Sequence, residues 1–246
     1  PPRSTPLYSS AASDVYKRQI LFNITSAQDR VYWVVWELDI DYKHVGFVIN
    51  NFDESYDKNN KPNFNMAFSE FVHSDDLSSG NYEMVAWSTD RSALTAIMDN
   101  GYTLDDTLSS SNILFNDVVK LIGSSSGYTL SRYLPSNFDE NTQSEWATSF
   151  QMNVKDPKTY AVEWMKMMKK SSEKPKTASF GQILMGREPG ISHYVFTTAS
   201  SYDEMMKGFE VNFSSKSFIE FVSKVVDIRE VVSTKTYKHL KFWMGN

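Results

Sequence analysis

The chain has 246 residues, 41% hydrophobic and 22% charged, which excludes a disordered chain and leaves room for one large domain or two small ones. A formal net charge of -5, with no arginine-rich face, argues against nucleic-acid binding. The absence of cysteine rules out disulfides, thiolate metal sites and cysteine nucleophiles, and no apolar run reaches the length of a membrane-spanning helix.

Residues 1–28 are expected to stand outside the fold. Ser10 to Gln19 resembles an adaptor-derived run found at the ends of translated environmental sequences. Ile20 to Gln28 reads either as the tail of a signal peptide or as a plain extension, so periplasmic or extracellular and cytoplasmic locations both stay open. Val31 to Ile40 is predicted as a strand and Tyr42 to Phe52 as a helix. Phe64 to Val72 and Tyr82 to Thr89 form a hairpin, and Ser92 to Met98 with Asn112 to Ile122 a helical region in two pieces. Gly123 to Gly127 encloses three serines but lacks the lysine of a phosphate loop. It reads as a flexible join before a closing strand, Tyr128 to Leu134.

The same order follows again with a cleaner pattern. Trp146, Thr148, Phe150, Met152 and Val154 alternate with polar residues as in a strand with one packed face. Asp156-Pro157 opens a helix whose apolar stripe holds Tyr160, Trp164, Met167 and Met168. Ala178 to Met185 and Ile191 to Thr198 form a hairpin around the turn Arg187-Glu188-Pro189-Gly190. Helical regions at Tyr202 to Phe209 and Ser217 to Val226 precede a last strand, Val231 to Leu240. The chain therefore divides into residues 29–135 and 145–246, two copies of one strand-helix-strand-strand-helix-strand unit, with 136–144 as linker.

Each unit forms a four-stranded antiparallel sheet with helices on one face, and two such sheets cover each other. The pattern resembles the dimeric α/β-barrel superfamily of antibiotic-biosynthesis-monooxygenase-like, ferredoxin-like units, here as a tandem fusion in an α+β chain. The resemblance implies an intramolecular barrel around a central cavity. It allows activities as different as monooxygenase, haem handling, small-molecule carriage and stress response, among which fold alone does not choose.

Polar residues on otherwise apolar strands supply the candidate site. Glu37 and Asp39 on the first strand correspond to Gln151 and Asn153 in the second copy, with Glu83 and Gln182 on neighbouring strands. Facing inward together they line a partly polar cavity in which burial raises a carboxylate pKa; the alternative is a wet sheet face. Trp36, Trp87 and Tyr194 are candidate walls for a small hydrophobic or aromatic ligand. Of the four histidines, His44 and His73 take surface roles, His193 stands on a predicted strand and joins Glu37 as the catalytic candidate, and His239 lies in the closing strand of the same copy, where proton transfer would need a reactive group at hydrogen-bond distance. No metal or other cofactor is expected. The leading expectation is a small-molecule-binding protein, monomeric or homodimeric. A cofactor-independent oxygenase or isomerase and an interaction module with a filled barrel are the alternatives.

Overall fold

The computed structural model describes residues 30–57, 62–74, 80–100, 117–136, 143–186 and 188–245, with backbone only at 55, 57 and 96–100. The first half contains β1 (Tyr32–Ile40), a 3-10 turn (Tyr42–His44), α1 (Val45–Asp57), β2 (Asn65–Ser74), β3 (Tyr82–Ser88), α2 (Arg91–Asn100) and β4 (Val119–Tyr133). The second contains β5 (Trp146–Val154), α3 (Pro157–Lys170), β6 (Thr177–Met185), β7 (His193–Ala199), α4 (Tyr202–Phe213), α5 (Lys216–Val225) and β8 (Arg229–Trp243).

All strands pair antiparallel in one closed barrel, in the order β1-β3-β2-β8-β5-β7-β6-β4 and back to β1. Within it, β4-β1-β3-β2 and β8-β5-β7-β6 are the same ferredoxin-like sheet twice. The two sheets join along β2/β8 and β4/β6. Closure leaves no unpaired sheet edge between the halves.

Alternation along the strands assigns the two faces. Val34, Leu38, Met66, Phe68, Tyr82, Met84 and Ala86 pack outward against Val48 and Tyr56 of α1 and Leu94 of α2. Met152, Val154, Ala178, Phe180 and Val195 pack outward against Tyr160, Trp164 and Met168 of α3 and Phe221 and Val225 of α5. Fully burying a large apolar side chain contributes ~1.5–3 kcal/mol, so this packing outweighs the intrinsic propensity of helices only ten to fourteen residues long. Local signals set the helix starts: Asp156 accepts from the amide of Thr159 ahead of Pro157, Ser201 from Glu204 and Ser215 from Phe218.

One expectation is corrected. The residues read as a helix end and flexible join, 119–127, are strand: β4 runs from Val119 and pairs with β1 from Ile40↔Val119 to Tyr32↔Tyr128. A glycine-serine run has little local strand preference, and here pairing with β1 on one side and β6 on the other overrides it. Residues 112–116, the linker at 137–142 and the leader-like segment lie outside the described residues.

Candidate functional site: the barrel interior

The residues between the outward-packing ones face inward: Trp33, Val35 and Glu37 on β1, Glu83 and Trp87 on β3, Ser149 and Gln151 on β5, and Ser233, Lys235 and Tyr237 on β8. Strand register superposes the halves, because β1 and β5 both have nine residues and equivalent partners. Glu37 pairs with Gly123, Val35 with Ser125 and Trp33 with Gly127. At the matching positions Gln151 pairs with Ser233, Ser149 with Lys235 and Ala147 with Tyr237. Where β8 sends a lysine and a tyrosine into the barrel, β4 sends a serine and a glycine. The interior is filled on one side and opened on the other.

On the filled side a charged network crosses between the halves. Lys235 is 1% exposed, and its Nζ donates to Glu37 Oε1 at 2.7 Å while lying 5.4 Å from the centre of the Phe71 ring. Glu83 stands directly opposite Glu37 on the neighbouring strand. Burial, and secondarily the Glu37 charge, push its carboxyl up to about 8 against the pull of Lys235 and of a hydrogen bond from Tyr237. Burial first, then Glu83 and Glu37, hold the Tyr237 hydroxyl well above its usual range. At neutral pH Glu83 therefore keeps its proton beside the Glu37–Lys235 pair. Nearby, Ser69 Oγ and His239 Nδ1 are 2.7 Å apart, and burial pushes His239 down to about 4, so its ring is neutral.

On the open side lies a cavity of about 210 Å³ lined by Glu37, Ile122, Gly123, Ser124, Ser125, Gln151, Ile183, Gly186, Glu188 and Ile191. A Cβ added at Gly123 would meet nothing within 4 Å. Gly186 and Glu188, between β6 and β7, border it, with Gly186 at φ 69° packed against the Ser124 carbonyl, an approach only glycine allows. Gln151 Oε1 accepts from Ser233 at 2.8 Å, which orients the amide between the network and the cavity. Ile183, Ile191, Tyr194, Trp33 and Phe196 form an apolar cluster beside it, the Trp33 and Tyr194 rings meeting edge to face at 5.2 Å and 87°.

Of the expected site residues, Glu37 and Gln151 meet at the cavity, Glu83 lies behind Glu37, and Tyr194 belongs to the apolar cluster. Trp87 faces inward opposite Trp33, away from the cavity lining. Asp39 is exposed near the end of β1, and Asn153, near the end of β5, accepts from Ser192 at 3.4 Å. Three residues face the helices instead. Trp36 packs on the first core; Gln182 accepts from the Tyr128 hydroxyl at 2.8 Å; and His193 stacks on Phe180 at 5.4 Å with its Nδ1 2.7 Å from Ser192 Oγ. The strand period accounts for this, since the hairpin register pairs Gln182 with His193 on the outer face. Sequence reasoning missed Lys235, Tyr237 and the serines of β4. The two-residue spacing of Ser233, Lys235 and Tyr237 was the available signal.

No protein-family model and no curated protein matches the sequence. Solved structures do match in shape. An anthrone oxidase-like protein aligns with a TM-score of 0.60 at 10% identity, over 88% of this chain and 94% of its own. A proposed monooxygenase of Fusobacterium nucleatum subsp. nucleatum gives 0.58 at 11%, over 88% and 95%. A proposed chlorite dismutase gives 0.54 at 8%, over 86% and 95%. The chain has the dimeric α/β-barrel fold. In this barrel both sheets come from one polypeptide, so its two half-sites are free to differ. Haem is one of the groups handled on the fold, and the geometry here does not suit it. His193 is enclosed in the second core, His239 is bonded to Ser69, and neither lines the cavity. The cavity is also smaller than the ~300–1,000 Å³ typical of ligand pockets. Among the described residues no group of His, Cys, Asp and Glu is arranged to hold a metal ion, and no helix is long and apolar enough to cross a membrane.

Proposed function

We propose that this protein binds a small, partly apolar molecule inside one end of its barrel, between β1 and β4 of the first half and β5 to β7 of the second. The observation that carries the reading is the cavity at Gly123, where Glu37 and Gln151, register equivalents from the two halves, border isoleucine side chains. Its size suits a ligand of one ring or a short branched chain. The fold likeness to an anthrone oxidase-like protein and to proposed monooxygenases is in keeping with an occupied interior. The test is a fragment library screened by thermal shift against wild type and Gly123→Leu, followed by a crystal structure with any hit. Compounds that raise the melting temperature of wild type alone, with density beside Gly123, are expected. A library whose hits stabilise both proteins equally would sink the proposal.

A second reading, acid-base catalysis on the bound molecule without a cofactor, is favoured by one observation: Glu37 borders the cavity and has a protonated carboxyl, Glu83, directly behind it. A carboxylate with an adjoining proton store suits transfer to and from a weakly acidic ligand, as an isomerase or cofactor-independent oxygenase needs. Once a ligand is known, Glu37→Gln should abolish its turnover and keep its binding; turnover that survives removes Glu37 from that role.

A further inference from the structure

Resting on the binding proposal above, we infer that the ligand carries a hydrogen-bond donor and a carbonyl acceptor on its apolar body, the pairing found in a small carboxamide or lactam. Glu37 and Gln151 read the two groups. They occupy register-equivalent positions of β1 and β5, and both line the cavity. Two inward residues of β8 fix them. Lys235 Nζ donates to Glu37 Oε1 at 2.7 Å, and Ser233 Oγ donates to Gln151 Oε1 at 2.8 Å. Each side chain thus has one polar atom held by β8 and a second left for the cavity. Neither is sealed from it: the Glu37 side chain is 20% exposed and Gln151 is half-buried.

The two remaining groups are of opposite kind. The Glu37 carboxylate, in its salt bridge with Lys235, accepts hydrogen bonds and donates none. The Gln151 amide, its oxygen occupied by Ser233, offers N–H donors. A ligand with a carbonyl alone would strip water from Glu37 Oε2 without replacing it, and one with a donor alone would do the same to Gln151 Nε2. A polar group desolvated without a partner is costly, so a site of this kind discriminates against the analogue that lacks one group. The hydroxyls of Ser124 and Ser125 take either role and do not decide. Ile122, Ile183 and Ile191 supply the apolar wall. Ile122 owes its place to the register shift between Glu37 and Leu38: Glu37 pairs with Gly123 and Leu38 with Leu121, so Ile122 is the extra residue of a bulge, a device that re-aims a side chain.

The test compares benzamide with acetophenone, which share a ring and a carbonyl and differ in an N–H2 against a methyl group, by calorimetry at pH 7 on the full chain. Affinities are read as ratios between proteins, because the cost of taking each probe out of water is common to all of them. Glu37→Met/Lys235→Met removes the ion pair as a unit. It should lower the preference for benzamide about tenfold or more, since only that probe loses a hydrogen bond to a charged group. Gln151→Met should weaken both probes about threefold or more, and Gly123→Leu should abolish both. If the double variant does not fold, Gln151→Met carries the test alone. A benzamide preference unchanged by loss of Glu37, or carbonyl binding untouched by Gln151→Met, overturns the donor–acceptor inference and leaves small-molecule binding standing. So does failure of both probes while a library compound binds in a Gly123-dependent way. Absence of any Gly123-dependent binder overturns both.

Discussion

Lys235 sets the energetics of the interior at the scale of single residues. Its ammonium is cut off from water and is stabilised by Glu37, with Phe71 below and Glu83 near it. Lys235→Met leaves two carboxyls facing each other across β1 and β3 without a cation, and removing one partner of a buried pair costs about 3 kcal/mol or more. Glu37→Gln in the same chain should restore most of that loss in urea unfolding, because the pair then disappears as a unit. The proton on Glu83 gives a second prediction. Unfolded, this carboxyl ionises near its ordinary 4.5; folded, it keeps its proton to about 8. Its contribution to stability is complete below 4.5 and is lost as pH rises to about 8, by up to about 1.4 kcal/mol per pH unit. His239 acts in the opposite sense: its ordinary value is 6.5 and its folded value about 4, so its contribution is present above 6.5 and lost as pH falls toward 4. The two oppose each other between 4.5 and 6.5, and only Glu83 acts above. The urea midpoint should therefore fall between pH 6.5 and 8, and Glu83→Gln should flatten that fall; an unchanged slope in the variant would assign the effect elsewhere.

Among the elements, β4 and β8 occupy equivalent places and decide where the barrel is open. β5 was legible because Trp146 to Val154 alternates, and β1 and β8 because Val31 to Ile40 and Val231 to Leu240 are rich in β-branched and aromatic residues. β4 was not, since Gly123 to Gly127 offers no apolar alternation and only its pairing with β1 and β6 makes it a strand. The polar inner residues followed the same logic. Glu37, Glu83 and Gln151 stood out on apolar strands, whereas nothing singled out Lys235, because sequence does not show that β2 and β5 enclose β8. Which face the second hairpin presents depends on register, so His193 and Gln182 could not be assigned from alternation alone. Two glycines of β4 make the contrast testable. A Cβ at Gly123 points into the cavity, so Gly123→Leu should change stability by no more than about 0.5 kcal/mol. A Cβ at Gly127 would collide with the Gln182 carbonyl and the Trp33 ring, so Gly127→Ala should cost about 1–3 kcal/mol by overpacking. Equal effects in urea unfolding would contradict an opening confined to the Gly123 end of β4.

For the molecule as a whole, duplication was readable because each half repeats one order of elements, and it dictates how the halves depend on each other. Alone, either sheet would leave two long edges bare: β2 and β4 in the first half, β6 and β8 in the second. In the barrel those edges pair as β2/β8 and β4/β6, each seam running over at least seven residue pairs. The ion pair between Glu37 and Lys235 and the indole N–H of Trp243, which donates to Asp53 of α1 at 2.8 Å, tie the halves further. We therefore expect the boundary proposed at 136–144 to be a covalent convenience. A protease site inserted there and cut should leave two fragments that elute together at the size of the intact protein and separate only when urea unfolds both. The cut should lower the urea midpoint, because association then carries a translational and rotational entropy cost that the linker had removed. Fragments that elute separately, each folded, would mean that the sheets are self-sufficient and that the seams contribute little.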